Sequence, residues 1–355
     1  MSKPKILMYA PREEGSEVLQ KLAGIGCDIA FGEAAWQIPR SGHEDKVVAA
    51  AREAVALMGT SIRSTPISRR VMEASQRLRI IAKYTVGVDD IDVESATDLG
   101  ILVTHAPTEA NCFGVAEQTV AFMLALLKKI RERDADISVG KWRAPEHAAI
   151  YLGRRLSDGY PGITVGLVGL GRIGSRVADL LAPWRLRILA YDPYVEPARF
   201  LIHGVERVDY ETLLRQSDVV SFHVVLNKGT RGMFSEREIA LMKRTAVIVN
   251  TARGHVIDEL ALARALESGR IRAAAIDAFA DEPLPMDSPL RRLGDKIWLS
   301  PHAASFNEGG ELRPGIAWAT RSVLAALAGD VPDNVYNKDA IPRWKERFGG
   351  ASIAG

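Results

Sequence analysis

The chain has 355 residues, with 46 Lys or Arg and 44 Asp or Glu, so its formal net charge is +2. At roughly 150 residues per domain, this length predicts about two domains, each long enough to bury a core. The near balance of charge disfavours a polyanionic partner such as nucleic acid. Cys27 and Cys112 stand far apart and lack metal-like spacing to the 7 histidines. This predicts a reducing, cytoplasmic compartment and no metal site.

No segment of the sequence has the pattern of a secretion signal or a membrane span. The apolar run at residues 6–10 is too short for the core of a signal peptide. The most apolar stretch, residues 115–127, contains Glu117 and Gln118 and falls short of the ~20 residues that a membrane helix needs. We therefore expect a soluble protein without a membrane partner.

The first hundred residues alternate short β-like runs with helical patterns, which is typical of an α/β unit with a parallel sheet. Strands are predicted at residues 5–10, 28–31, 55–59, 79–84 and 101–104. Helices are predicted near residues 13–23, 44–52, 68–75 and 93–99.

A long helical stretch is predicted next, from about residue 111 to residue 140. Its first half is apolar nearly all round and its second half is charged, so the first half needs cover on several sides. Two interpretations remain open and are compatible. One is a core helix, and the other is a helix between domains or between subunits.

The alternation of strands and helices starts again at residue 163. Strands are predicted at residues 163–168, 187–191, 219–224, 246–250, 274–278 and 297–299. Helices are predicted near residues 173–181, 197–202 and 259–268, and a last helix near 309–328 precedes a tail containing Pro, Asn and Gly. Six strands with helical crossovers predict a doubly wound parallel sheet.

A glycine-rich turn joins the strand at residues 163–168 to the helix that follows it. Gly169, Gly171 and Gly174 form a Gly-x-Gly-x-x-Gly pattern. The first glycine allows a tight turn, the second lets the backbone approach a pyrophosphate, and the third permits close packing of helix and strand. In this context the pattern predicts dinucleotide binding, although the same glycines also suit a simple tight turn.

An acidic residue supports the dinucleotide interpretation. Asp192 ends the second strand of this unit, and 192 − 174 = 18 residues separate it from Gly174. That spacing is close to the ~20 residues at which an acid binds the ribose hydroxyls. A carboxylate there repels a 2′-phosphate, so NAD is favoured over NADP. The alternative is that Asp192 is a turn residue before Pro193.

Three polar residues follow apolar runs where later strands of the sheet end. Arg253 can clamp a carboxylate with two hydrogen bonds. Glu282 and His302 offer an acid–base pair, because a neighbouring carboxylate favours the protonated imidazole and fixes its orientation. Taken singly, each has a plainer interpretation: a surface arginine, a loop carboxylate, and a capping or core histidine.

These segments together resemble the D-isomer-specific 2-hydroxyacid dehydrogenase family. The resemblance rests on the glycine loop with Asp192 and on residues 86–92, 115–117, 251–254, 277–283 and 300–302. It implies an α/β protein with two Rossmann-like domains. A doubly wound parallel sheet would form an NAD-binding domain at residues 108–307, inserted into a smaller flavodoxin-like substrate domain at residues 1–107 and 308–355.

The resemblance also implies roles for single residues. Arg253 would bind the substrate carboxylate and polarise its carbonyl, while His302 donates a proton to the carbonyl oxygen and Glu282 holds the imidazole. The backbone of Val86 and Gly87 would receive the substrate carboxylate. Arg63 and Ser64 are weaker substrate candidates, and the alternative for them is a solvated loop. Asp277 would contact the nicotinamide end of the cofactor. The other cofactor contacts implied are Arg172, Ile173, His223, Thr251, Ala252 and Ala304.

One departure from the family pattern concerns the cofactor. Residues 223–227 read His-Val-Val-Leu-Asn where the family usually has His-x-Pro-Leu-Thr, so Val225 and Asn227 can change the cofactor affinity. The resemblance and the apolar residues 115–127 also predict a homodimer built on the cofactor domain.

The function predicted is NAD-dependent hydride transfer between nicotinamide and a small D-2-hydroxy acid or its 2-keto acid, of the glyoxylate, hydroxypyruvate or phosphoglycerate type. One alternative is a non-enzymatic NAD(H)-sensing binding protein of the same fold, whose partner capture would survive loss of His302. Another is a phosphite-type dehydrogenase, which would form NADH when phosphite is added.

Overall fold

The chain divides into two compact units. The structure is a computed structural model that describes residues 3–10, 17–32, 44–60, 66–308 and 312–353. One unit comprises Met1–Asn111 together with Glu311–Gly355, and the other comprises Cys112–Gly310. The assignment of a substrate role to the first unit and a cofactor role to the second stays a prediction.

The first unit is built on a parallel sheet. In the described part of this unit the strands are β1 (Lys5–Ala10), β2 (Asp28–Phe31), β3 (Ala54–Gly59), β4 (Ile80–Lys83) and β5 (Leu102–Thr104). The helices between them are α1 (Glu17–Gly24), α2 (Glu44–Ala51), α3 (Arg69–Glu73) and α4 (Val93–Asp98). The strand order is β2-β1-β3-β4-β5, which is the doubly wound order of flavodoxin-like sheets. Alternate residues of β1 face two cores, Ile6 and Met8 on one side and Leu7 and Tyr9 on the other.

Two helices follow where a single helical stretch was predicted. Helix α5 spans Glu109–Lys128 and helix α6 spans Ile130–Ser138. Lys129 between them has a left-handed backbone, with φ 55° and ψ 44°, which interrupts the right-handed helix. The prediction of one continuous stretch over residues 111–140 was therefore wrong at this position.

Helix α5 is a core helix of the second unit. Phe122, Met123, Leu126 and Leu127 are buried against the sheet strands of that unit. Among the described residues, α5 is the one helix long and apolar enough by composition to cross a membrane, but most of its apolar window is buried inside the protein. Its apolar character is thus accounted for by packing within the unit.

The second unit contains a larger parallel sheet. Its described strands are β6 (Thr164–Val168), β7 (Arg187–Tyr191), β8 (Glu206–Arg207), β9 (Val219–Phe222), β10 (Val247–Asn250), β11 (Ala273–Ile276) and β12 (Ile297–Leu299). The helices are α7 (Arg172–Leu181), α8 (Pro197–Ile202), α9 (Tyr210–Gln216), α10 (Glu236–Leu241) and α11 (Glu259–Glu267). The order is β12-β11-β10-β9-β6-β7-β8. Six strands were predicted here. The additional strand β8 has two exposed residues at the sheet edge and no apolar pattern to reveal it.

The strand order places a crevice at a defined position in the second unit. β6 pairs with both β7 and β9, so the winding direction reverses between β6 and β9. In open parallel sheets, ligands bind at the carboxyl ends of the strands beside such a reversal. The glycine loop follows β6, and His223 follows β9.

The C-terminal segment returns to the first unit. Helix α12 (Arg313–Ala328) packs on the sheet, and Gly315 permits this because a Cβ there would lie 1.9 Å from the carbonyl oxygen of Tyr84. Helix α13 (Ile341–Phe348) occupies the region predicted as a tail. Its Trp344 is fully buried and donates a hydrogen bond to the Arg79 carbonyl at 2.9 Å. This contact anchors the helix, whose apolar Ile341, Trp344 and Phe348 recur at helical spacing, so the prediction of a tail was wrong here.

Candidate active site

The glycine loop after β6 forms a cradle that requires glycine at its first and third glycine positions. Gly169 has a φ of +97°, and a Cβ there would lie 2.7 Å from the His223 carbonyl oxygen. A Cβ on Gly174 would lie 2.1 Å from the Gly169 carbonyl oxygen. In contrast, a Cβ on Gly171 would meet no described atom within 4 Å. The loop is therefore tightly packed at its first and third glycines and open at its second.

The open position lies at the start of a helix. Gly171 is the N-cap of α7, and Arg172 and Ile173 are the first two helical residues. Their backbone N–H groups have no intrahelical acceptor, and the helix dipole favours an anion at this end. Arg172 is exposed and Ile173 is half-buried. This arrangement fits a pyrophosphate bound by backbone N–H groups.

Asp192 connects the end of β7 to the glycine loop. Its Oδ2 accepts the Leu170 N–H at 2.8 Å and its Oδ1 accepts the Tyr194 N–H at 2.9 Å. Each carboxylate oxygen has further acceptor capacity, so these bonds leave room for ribose hydroxyls. The negative charge stands beside the phosphate cradle, where it would repel a 2′-phosphate.

His223 lines the other side of the cradle. Both of its ring nitrogens are buried and have no hydrogen-bond partner among the described residues. Burial lowers the pKa of His223 to about 3, so the ring is neutral at physiological pH. Unsatisfied buried nitrogens are uncommon in proteins. Their place beside the glycine loop fits a site that a polar ligand completes.

The unusual residues after His223 form a self-contained turn. The Asn227 Oδ1 accepts the N–H groups of Gly229 and Thr230 at 2.8 and 3.1 Å. Val225 is exposed, and its carbonyl accepts the Thr230 hydroxyl at 2.6 Å. Asn227 thus stabilises this turn through its side chain. The effect of Val225 and Asn227 on cofactor affinity stays a prediction.

Glu282 and His302 form a hydrogen-bonded pair. The Glu282 Oε1 lies 2.9 Å from the His302 Nδ1 and also accepts the Phe279 N–H at 2.8 Å. Since a carboxylate only accepts, we assign the proton of this bond to Nδ1. The His302 and Glu282 side chains are 24% and 12% exposed. The carboxylate therefore orients the ring and favours its protonated form.

Asp277 holds the backbone beside His302. It is buried, and its two oxygens accept the N–H groups of Ala303 and Ala304 at 2.9 and 3.1 Å. The Asp277 N–H in turn donates to the Asn250 carbonyl at 2.9 Å. Asp277 thereby ties the end of β11 to the segment after β12. Its predicted nicotinamide contact, and that of the buried Ala304, stay predictions.

The turn that carries Arg253 is fixed by Asn250, which the sequence analysis did not single out. The Asn250 side chain donates to the Arg253 carbonyl at 3.0 Å and accepts the Ala252 N–H at 3.1 Å. The Arg253 side chain is half-buried, and its Nη1 donates to the Ala252 carbonyl at 2.8 Å. The Thr251 hydroxyl is buried and hydrogen-bonded to the Thr119 hydroxyl at 2.8 Å. The predicted cofactor contacts of Thr251 and Ala252 stay predictions.

Gly254, part of the 251–254 motif but assigned no role from the sequence, brings the Arg253 turn against the Glu282 loop. A Cβ on Gly254 would lie 1.9 Å from the Phe279 carbonyl carbon and 2.1 Å from the Ala280 nitrogen. Only glycine permits this approach of two backbones. The sequence signal for Asn250 was a polar residue at the end of an apolar strand. The signal for Gly254 was a glycine directly after the candidate arginine.

The predicted substrate residues outside the second unit are Val86, Gly87 and Arg63. Val86 and Gly87 lie in the loop after β4, and the Val86 carbonyl is 3.4 Å from the His105 Nδ1. The buried pair of Lys83 and Asp90, with a 2.7 Å contact, flanks this loop. Arg63 and Ser64 lie outside the described residues. The substrate contacts of Val86, Gly87 and Arg63 stay predictions.

Comparisons with known proteins identify the family. Residues 120–304 match the model for the D-isomer specific 2-hydroxyacid dehydrogenase, NAD binding domain. A glyoxylate reductase of Thermofilum pendens is 38% identical over 96% of each chain. A glyoxylate reductase of Korarchaeum cryptofilum is 40% identical over 79% of this chain and 82% of that protein. A D-3-phosphoglycerate dehydrogenase of Methanocaldococcus jannaschii is 39% identical, over 79% of this chain and 52% of that protein.

This chain belongs to the D-isomer-specific 2-hydroxyacid dehydrogenase family. Solved structures agree with this. A glyoxylate reductase from Paecilomyes thermophila has a TM-score of 0.78 at 26% identity and covers 95% of this chain and 99% of that one. The D-lactate dehydrogenase of Aquifex aeolicus, solved with NAD and lactic acid, has a TM-score of 0.77 at 26% identity and covers 94% and 99%. The predicted family, α/β fold class, NAD cofactor and 2-hydroxyacid oxidoreductase activity are confirmed.

The charge of Asp192 gives a testable preference between cofactors. Asp192→Asn keeps an oxygen for the Leu170 N–H and removes the charge that repels a 2′-phosphate, at the loss of the acceptor for the Tyr194 N–H. We expect the ratio of NADPH to NADH dissociation constants to fall by about tenfold, equivalent to ~1.4 kcal/mol. Fluorescence titration of both cofactors measures this ratio. An unchanged ratio would show that the Asp192 charge does not set the preference.

Proposed function

We propose that this dehydrogenase reduces a small 2-keto acid of the glyoxylate type to the 2-hydroxy acid, with NADH as the reductant. The observation that carries the proposal is the hydrogen bond between Glu282 Oε1 and His302 Nδ1 at 2.9 Å. It provides an oriented proton donor on the unit that also carries the nucleotide cradle. The cradle would be formed by Gly169, Gly171 and Gly174 with Asp192.

The chain's own residues would supply binding and proton transfer. The Arg253 guanidinium binds the substrate carboxylate through two hydrogen bonds and polarises the adjacent carbonyl. NADH, held by the glycine cradle and Asp192, would supply the hydride that reduces the carbonyl carbon. As the C–H bond forms and the C=O π bond breaks, the His302 Nε2–H passes its proton to the oxygen. His302 ends as neutral imidazole, and in the reverse direction it accepts the hydroxyl proton.

Glu282 would act through His302. Its carboxylate stabilises the imidazolium before transfer, and its bond to Nδ1 directs Nε2 as the transferring atom. The Phe279 N–H fixes the carboxylate oxygen that performs this task. The pair therefore combines orientation with electrostatic stabilisation of the proton donor.

The relatives support a small keto acid as the substrate. The glyoxylate reductase of Thermofilum pendens matches this chain over 96% of each protein, whereas the match to the D-3-phosphoglycerate dehydrogenase covers 52% of that protein. Glyoxylate is therefore the first substrate to test, with hydroxypyruvate second and the phosphoglycerate type third.

Site variants test the assigned roles. We expect NADH oxidation by glyoxylate in the wild-type protein and a fall in kcat/KM of about 10²–10⁴-fold in His302→Ala, because the proton donor is lost. Arg253→Ala should raise KM and lower kcat, because the carboxylate loses its clamp. The fall in NADH absorbance with time gives kcat and KM for the wild type and for both variants. His203→Ala is the matched control, since His203 pairs with Asp179 at 2.7 Å on the surface of the same unit.

Other outcomes of this experiment favour the alternative functions. Tight NADH binding without turnover of any 2-keto acid, together with a binding partner retained by His302→Ala, would favour an NAD(H)-sensing binding protein. NADH formation from NAD⁺ on addition of phosphite would favour a phosphite-type dehydrogenase.

We also propose a homodimer formed through the second unit. Helix α5 is largely used by the core of its own unit, but the segment after it carries exposed apolar side chains. Val139, Trp142 and Leu156 are 72%, 75% and 73% exposed. A contiguous exposed apolar patch marks an association surface, and we take these three side chains as the members of one. The occupant proposed for this surface is a second copy of the chain.

A charged residue on that segment tests the dimer. Trp142→Asp should shift the protein from dimer to monomer, because it places a charge in the apolar contact. Light scattering at micromolar concentration measures the change in mass. Tyr194→Asp is the control, since Tyr194 is an aromatic residue that is also exposed, at 85%, but lies outside the proposed contact segment. A wild-type monomer would contradict the proposal.

A further inference from the structure

The loop between β11 and β12 carries Glu282, and its backbone determines where that carboxylate lies. A single oxygen, Glu282 Oε1, accepts both the Phe279 N–H and the His302 Nδ1–H. A displacement of the Phe279 peptide would therefore displace the carboxylate and weaken its bond to His302. The position of this peptide is a requirement of the acid–base pair.

A second carboxylate holds the next peptide. The Glu259 Oε1 accepts the Ala280 N–H at 2.6 Å. Consecutive N–H groups of one loop thus bind two carboxylates, Glu282 from within the loop and Glu259 from helix α11. Gly254 lies against the Phe279–Ala280 peptide, the one that carries the Ala280 N–H. The loop is clamped between the start of α11 and the turn that carries Arg253.

Glu259 is held firmly enough to act as a clamp. It is the first residue of α11, directly after the N-cap Asp258, whose Oδ1 accepts the Leu260 and Ala261 N–H groups at 3.1 and 3.0 Å. The Ser235 hydroxyl donates to the other Asp258 oxygen at 3.0 Å. The helix start is therefore fixed by its cap, and the Glu259 side chain extends from a rigid base.

The environment of Glu259 is unfavourable for a charge. Burial is the main cause that raises the pKa of the Glu259 carboxyl, with a further increase from the negative charge of Asp281, while the Ala280 hydrogen bond lowers it. In the described residues no Lys, Arg or His forms an ion pair with Glu259. Keeping a half-buried carboxylate charged near Asp281 costs free energy. The hydrogen bond from the Ala280 N–H is the described contact that offsets this cost.

We propose that Glu259 is a positioning residue for the acid–base pair, holding the Ala280 peptide so that Glu282 stays aligned with His302. Its action is indirect, passing from Glu259 to Ala280, then through the Phe279 N–H to Glu282 and His302. The inference rests on the proposed function for its effect on turnover. Its effect on the imidazole does not depend on which substrate the enzyme uses.

Three variants separate alignment from charge. Glu259→Ala removes the acceptor, Glu259→Gln keeps an amide oxygen for the Ala280 N–H, and Glu236→Ala is the matched control. Glu236 is likewise the first residue of a helix, α10, and its carboxylate pairs with Arg264 on the surface at 2.7 Å. If Glu259→Ala fails to fold, Glu259→Asp replaces it, since the shorter side chain withdraws the acceptor without removing the charge.

The first readout is the imidazole itself, by NMR titration of His302 in the protein without substrate. We expect His302 in Glu259→Ala to lose its proton at lower pH than in the wild type, because Glu282 stabilises the imidazolium less well. Glu259→Gln and Glu236→Ala should titrate as the wild type does. A His302 titration unchanged in Glu259→Ala would overturn the proposal, even if the variant were less stable.

The second readout is turnover of glyoxylate with NADH. We expect kcat to fall about 10–100-fold in Glu259→Ala, as for a misplaced catalytic group, with less than about a threefold change in the NADH dissociation constant. Glu259→Gln should recover most of the kcat. The positioning role would be contradicted if the kcat of Glu259→Ala equalled that of the wild type, or if its loss matched the fraction of the variant that is unfolded. If the wild-type protein reduces no 2-keto acid, the proposed function fails while the NMR titration still decides the role of Glu259.

Discussion

The hydrogen bond between Glu282 and His302 is the interaction on which the rest of the candidate site depends. An imidazole can transfer a proton to a carbonyl only when the correct ring nitrogen carries that proton and points at the oxygen. Glu282 provides both conditions by accepting from Nδ1. The surrounding contacts, from the Phe279 N–H to the clamps at Glu259 and Gly254, fix the carboxylate that does this.

The parallel sheet explains why distant parts of the sequence form one site within the second unit. All its strands run in one direction, so the residues that follow β6, β7, β9, β10, β11 and β12 lie at the same edge. Backbone contacts then lock neighbouring segments together, as Asp277 does for Asn250 and Ala303. The glycine cradle forms at the reversal between β6 and β9. The acid–base pair forms among the segments after β10, β11 and β12.

The features predicted well from sequence were those with local or periodic causes. The glycine pattern and the spacing to Asp192 depend on one strand, one turn and one helix, and the α/β alternation follows from apolar periodicity. Tertiary causes were not visible in the sequence. The left-handed Lys129 depends on a single backbone dihedral, and the clamp by Glu259 depends on a contact with a segment distant in sequence. The helix around Trp344 does have apolar residues at helical spacing, which the prediction of a tail overlooked. Glu259 in particular looks like any acidic residue in the first turn of a helix.

The measurement that tests the central claim most directly is the pH dependence of kcat/KM for glyoxylate reduction, compared between the wild type and Glu282→Gln. If His302 is the proton donor and Glu282 stabilises its protonated form, activity in both proteins falls at high pH. In Glu282→Gln that fall begins at lower pH, because the imidazole loses its proton more readily without the carboxylate. If kcat/KM falls at the same high pH in the wild type and in Glu282→Gln, the account is contradicted.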